Sequence, residues 1–115
     1  MDNILYHNPR CSKSRTAIDL LNESGISYSI KEYLKESMSL QELESIFKKL
    51  KISSPLDGMI RLKEFPETDF NTLSNKEIFE FIITNPVLLE RPIFVTENTA
   101  VIGRPTEVLA RFLAK

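Results

Sequence analysis

Apolar residues at the head of the chain sit side by side. Ile4-Leu5-Tyr6-His7 is a short β-prone run that stops at Asn8-Pro9, which predicts a strand entering a turn. Beyond Cys11 the spacing changes. Ala17, Ile18, Leu20 and Leu21 recur at helical intervals between Ser12 and Ser24, and Gly25 supplies the stop. Tyr28, Ile30 and Glu32-Tyr33 then alternate with polar residues and predict a second strand. A β-α-β order is that of two parallel strands joined by a crossover helix.

The middle of the chain is helical in pattern. Ser39-Leu40-Gln41-Glu42 and Ser74-Asn75-Lys76-Glu77 have the form of capping boxes. Leu40, Leu43, Ile46, Phe47 and Leu50 make an apolar stripe behind the first, and Ile78, Phe79, Phe81 and Ile82 behind the second. Leu56 to Leu62 reads as another short helical piece, and Val87-Leu88-Leu89 as one turn after Asn85-Pro86. The last third is β-rich: Pro92 to Thr96 and Thr99 to Ile102 flank Glu97-Asn98 and predict an antiparallel hairpin. Pro105, expected at a first helical position, opens a final helix with Val108, Leu109, Phe112 and Leu113. The predicted class is therefore α/β. Its order matches a thioredoxin-like fold: a mixed four-stranded sheet (β-α-β, then β-β-α) with a helical insertion at about residues 38–90. Order alone admits other α/β folds.

Composition refines this little. With 42% hydrophobic and 27% charged residues, residues 1–115 suit one domain with its own core. A net charge of -1 provides no basic field for nucleic acid, so anion binding must come from arginines gathered locally. No apolar run approaches the roughly eighteen residues of a membrane span. Met1-Asp2-Asn3-Ile4 lacks the basic and apolar regions of a secretory signal. A cytoplasmic location is expected. One cysteine and one histidine make neither an internal disulfide nor a full zinc site, so no bound metal or cofactor is expected.

That cysteine is the candidate for chemistry. Cys11 lies between a predicted strand and a predicted helix, where unpaired backbone amides carry partial positive charge and favour a thiolate. His7, Arg10, Lys13 and Arg15 lie within four residues, and Ser12 and Ser14 add hydroxyls. A lone cysteine is often an inert buried hydrophobe, but flanks as polar as Asn8-Pro9-Arg10 and Ser12-Lys13-Ser14-Arg15 argue against burial in an apolar core.

Tyr6-His7-Asn8-Pro9-Arg10-Cys11-Ser12-Lys13-Ser14-Arg15 resembles the glutaredoxin-coupled arsenate reductases. Glu90-Arg91-Pro92-Ile93 and Ile102-Gly103-Arg104-Pro105-Thr106-Glu107-Val108 resemble the two Arg-Pro segments of that family, and Met59-Ile60-Arg61 falls where it carries an active-site arginine. The resemblance implies Cys11 as nucleophile, with His7 lowering its pKa and the Ser14 hydroxyl assisting. It implies Arg61, Arg91 and Arg104 as the oxyanion clamp, Pro92 as a cis-proline, and Arg15 as a structural neighbour. It further implies arsenate or a similar oxyanion as substrate, glutathione as co-substrate and glutaredoxin as partner. A single cysteine forces the reducing thiol to come from another molecule. Two other readings share the fold. One is a monothiol oxidoreductase acting on another oxyanion or on glutathione mixed disulfides. The other is an Spx-like transcription regulator without enzymatic activity, whose redox-sensing members carry Cys-x-x-Cys where this chain has Cys11-Ser12-Lys13-Ser14.

Overall fold

A computed structural model describes residues 3–114 of the chain; Met1 and Asp2, in the segment expected to lack signal-peptide features, and Lys115 lie outside the described residues. Four strands, β1 (Ile4–Tyr6), β2 (Ser29–Lys31), β3 (Ile93–Val95) and β4 (Ala100–Ile102), form one sheet in the order β2-β1-β3-β4. β1 pairs parallel to β2 and antiparallel to β3, and β3 pairs antiparallel to β4. The sheet is thus mixed, as the element order predicted.

Side-chain alternation divides the core into two layers. Leu5 and Phe94 face helices α1 (Ser12–Ser24) and α4 (Thr106–Leu113), packing with Ala17, Leu21 and Leu109. Tyr6, Ile93, Val95 and Ala100 face the opposite way. They pack with Leu43 and Ile46 of α2 (Leu40–Leu50) and with Ile78, Phe79 and Ile82 of α3 (Asn75–Thr84). Both capping boxes form. Ser39 and Ser74 each accept from the amide three residues on, and Glu42 and Glu77 each reach back to the cap amide. Helix α1 ends at Gly25 in the left-handed region, φ 75°, a conformation that suits glycine.

Three local expectations are corrected. The second strand ends at Lys31, so Tyr33 lies beyond it and is buried in the core. Leu56 to Leu62 is no helix: turns lead to an antiparallel bridge between Ile60 and Leu89, and a 3-10 turn starts only at Leu62. The apolar residues of that stretch are buried by pairing across the chain rather than along one helical face. Pro105 is the cap preceding α4, with extended backbone (ψ 164°), and Thr106 is the first helical residue. Among the described residues no helix is long and apolar enough to cross a membrane.

Candidate active site

The loop from β1 into α1 is tied down by its own short side chains. The Asn8 carbonyl accepts from the Cys11 amide at 3.0 Å, and Asn8 Oδ1 accepts from the Arg10 amide at 3.0 Å. The Ser14 hydroxyl accepts from the Asn8 amide at 3.3 Å, and Arg15 Nη1 donates to the Pro9 carbonyl at 2.9 Å. These bonds set Cys11 as the cap residue of α1 with extended backbone (φ -93°, ψ 121°). Its side chain is 8% exposed yet belongs to neither apolar cluster. The expected avoidance of an apolar core thus coexists with burial, because polar groups do the covering.

A second group of residues closes over the sulfur from distant parts of the chain. The Ile60–Leu89 bridge is held by the Arg61 amide on the Leu88 carbonyl (2.7 Å) and the Glu90 amide on the Met59 carbonyl (2.8 Å). It sets Arg61 beside Glu90, and Arg61 Nη1 donates to Glu90 Oε1 at 2.9 Å. That same oxygen accepts from the Arg91 amide at 3.0 Å and lies 3.3 Å from Arg104 Nε. The Arg91–Pro92 bond is cis, as the resemblance implied, and so is Arg104–Pro105. Gly103 donates to the Pro92 carbonyl at 2.9 Å, and a β-carbon on it would stand 3.0 Å from Pro92 Cγ. This close approach brings Arg104 against Arg91, where Arg104 Nε donates to the Arg91 carbonyl at 2.7 Å. Arg104 Nη2 then reaches Cys11 Sγ at 3.2 Å.

Burial alone would raise the Cys11 thiol. The Arg104 guanidinium donates to the sulfur, and with the Ser14 amide, the Arg91 side chain and the Lys13 amide beside it lowers the thiol to about 7. About half is then thiolate at pH 7, against roughly 3% for a free thiol near 8.5. His7 is absent from that set. It is buried, and burial holds its pKa below the ordinary value; the Glu32 charge opposes this and the Arg15 charge adds to it. A neutral imidazole is no cation beside a thiolate. Ser14 serves the sulfur through its backbone amide, while its hydroxyl is engaged with Asn8. Arg10 is exposed at the rim of the loop.

Arg61, Arg91 and Arg104 therefore converge, joined by Glu90. Arg61 Nε and Arg91 Nε are buried with no hydrogen-bond partner, an arrangement that suits donors facing an anion.

The ArsC family model matches residues 6–112. The chain belongs to the ArsC family. It is 41% identical over 117 residues to an arsenate reductase of Haemophilus influenzae, covering 98% of this chain and all of that one. It is 43% identical over 107 residues to an arsenate reductase of Neisseria meningitidis serogroup A, covering 90% and 91%. The solved structure of an arsenate reductase from Vibrio cholerae superposes with a TM-score of 0.83 at 37% identity, covering 95% and 96%. The fold is accordingly the thioredoxin-like α/β fold of ArsC proteins.

Two residues of this ArsC-family site escaped the sequence reading. Glu90 gathers the arginines, and only its place before Arg91-Pro92 hinted at that. Tyr33 is 1% exposed, and the charges of Arg91, Cys11, Glu90 and Arg61 all act on its hydroxyl. No local pattern marks it out from an ordinary core tyrosine.

Proposed function

We propose that the protein is an arsenate reductase in which Cys11 attacks arsenate held by Arg61, Arg91 and Arg104, with glutathione and glutaredoxin as external reductants in the cytoplasm. The observation that carries this reading is the seat of the Cys11 sulfur: a thiol lowered to about 7, touched by Arg104 at 3.2 Å, with the Arg91 guanidinium also acting on it. Relatives named arsenate reductase, at 41% and 43% identity over most of both chains, lend it support.

Arsenate is a tetrahedral anion whose oxygens suit planar guanidinium donors. The Cys11 thiolate forms an S–As bond while one As–O bond breaks, and that oxygen leaves as water with protons from substrate and solvent. The clamp arginines offset charge as it builds on the remaining oxygens. A glutathione thiolate next attacks the Cys11 sulfur. An S–S bond forms, the S–As bond breaks, and its electron pair stays with arsenic, which leaves as arsenite. The chain holds a single cysteine, so an external thiol must free Cys11 from the mixed disulfide, and in the proposed route glutaredoxin supplies it. His7, buried and neutral, stands near this loop as an uncharged polar group.

Arsenite release from arsenate is the direct test. Turnover is expected only with glutathione and glutaredoxin together, and none from Cys11→Ser. A folded wild-type protein that forms no arsenite under those conditions would sink the arsenate reading. Reduction of a glutathione mixed disulfide in its place would favour the monothiol oxidoreductase.

A further inference from the structure

The parallel pairing of β1 and β2 continues one residue past the strands, where the His7 amide donates to the Lys31 carbonyl at 3.0 Å. The segments leading to Cys11 and to Tyr33 thus leave the sheet at the same end, the carboxyl ends of β1 and β2. The Tyr33 ring joins the core with Met59, Ile60, Leu88 and Leu89, the residues around the bridge that carries Arg61 and Glu90. Its hydroxyl is sealed from solvent and has no hydrogen-bond partner among the described residues. Buried hydroxyls nearly always find one, and leaving one without costs stability. A tyrosine needed only for packing would be served at least as well by phenylalanine.

The surroundings of this hydroxyl narrow its purpose. Arg61 Nε and Arg91 Nε share its lack of a partner, as do His7 Nδ1 and Glu32 Oε1. Of these, the two guanidinium nitrogens belong to the residues gathered on Glu90, whose charges act on the Tyr33 hydroxyl together with that of Cys11. Three unused donors thus belong to one group of side chains. What would satisfy all three is an acceptor with several oxygens. We propose that the Tyr33 hydroxyl is a further, uncharged donor to the oxyanion bound at Cys11.

The inference rests on the oxyanion reading above and deepens it. Arg104 donates to the thiolate sulfur in the free protein, and the Arg91 side chain acts on it as well. An anion that draws these arginines onto its own oxygens would meet the hydroxyl beside them, so the tyrosine bond forms with the clamp engaged. Tyr33 also remains a donor across the range in which Cys11 works. Burial pushes its pKa up to about 12; Cys11 and Glu90 push the same way, Arg91 and Arg61 against. Unlike an arginine, it adds a bond without adding to the field that sets the thiol pKa.

Tyr33→Phe in the full chain tests this, with protection of Cys11 from iodoacetamide by sulfate, phosphate and arsenate as the readout. The half-protecting concentration of each anion is expected to rise about tenfold, the worth of a hydrogen bond to a charged acceptor. The alkylation pKa should stay near 7, and the melting temperature without anion should be unchanged or higher. Protection equal to wild type, or a thiol pKa moved by a full unit, would overturn the donor role. Wild-type protection without arsenate turnover would remove the arsenate reading and leave the Tyr33 comparison intact for sulfate and phosphate. No protection of wild type by any of the three would overturn both.

Discussion

The two halves of the site are built differently. The Cys11 loop is local: residues 7–15 supply its turns and two of the amides that hold the sulfur, and the backbone itself does much of the work. The arginine side is assembled from three distant segments, and the Arg61 and Arg104 side chains and the Arg91 amide, meeting on one Glu90 oxygen, hold it together. Amides at a helix start survive almost any substitution. A guanidinium is lost with a single codon. On the proposed reading the loop confers a reactive thiol robustly, whereas the arginine side confers anion recognition that can be removed piecemeal.

The sharpest way to separate the halves is Cys11→Ser. Turnover should fall by more than about a thousandfold because the nucleophile is gone. Sulfate or phosphate binding, read by calorimetry, should stay within a few-fold because the clamp residues remain. Loss of anion binding along with turnover would mean that the arginines depend on the sulfur for their arrangement, and the division would fail.

Arg104→Ala strikes the one side chain shown to bond Cys11, Glu90 and the Arg91 carbonyl at once. The alkylation pKa should rise by about one unit, leaving roughly a tenth of the present thiolate-to-thiol ratio at pH 7. Turnover should drop further, by about a hundredfold, since the same change removes an oxyanion contact. A thiol pKa still near 7 would assign the whole depression to the loop amides.

Much of the loop could be read from sequence because its determinants are contiguous. Polar turn residues before Cys11 and a helical stripe closed by Gly25 specify a cap cysteine and the limits of α1. Both capping boxes were legible for the same reason. Arg91 and Arg104 were legible through their prolines and the family likeness. The Ile60–Leu89 bridge was not, because a single antiparallel pair has no period to detect, and apolar spacing over Leu56 to Leu62 imitates a helix. Glu90 looks like any surface carboxylate until Arg61 is placed opposite it. Tyr33 lies two residues beyond the strand to which the alternation assigned it, and Ile30 within that strand is exposed, so neither its burial nor its neighbours could be read from a period of two.

Protonation offers a third comparison, in stability rather than activity. The folded Cys11 pKa of about 7 lies below that of an unfolded thiol. Its contribution is fully present above the unfolded value, roughly 8.5, and is lost as pH falls through 7. The unfolding free energy of wild type minus that of Cys11→Ser should therefore grow by about 2 kcal/mol between pH 6 and pH 9. Urea titrations at both values measure it, and the subtraction cancels other groups that titrate there. A difference that is flat with pH would place the folded thiol at its ordinary value.

Ser14→Ala should have the smallest effect, and it separates backbone from side chain within the loop. The substitution keeps the amide that helps lower the Cys11 thiol and removes the hydroxyl, whose bond is to the Asn8 amide at 3.3 Å. The alkylation pKa should move by less than about 0.3 unit, because the group acting on sulfur is still in place. Stability should fall by about 1 kcal/mol, since the Asn8 amide loses its acceptor near the start of the loop. A pKa rise of a full unit would show that the hydroxyl itself holds the thiolate. The loop would then be as dependent on removable side chains as the arginine side.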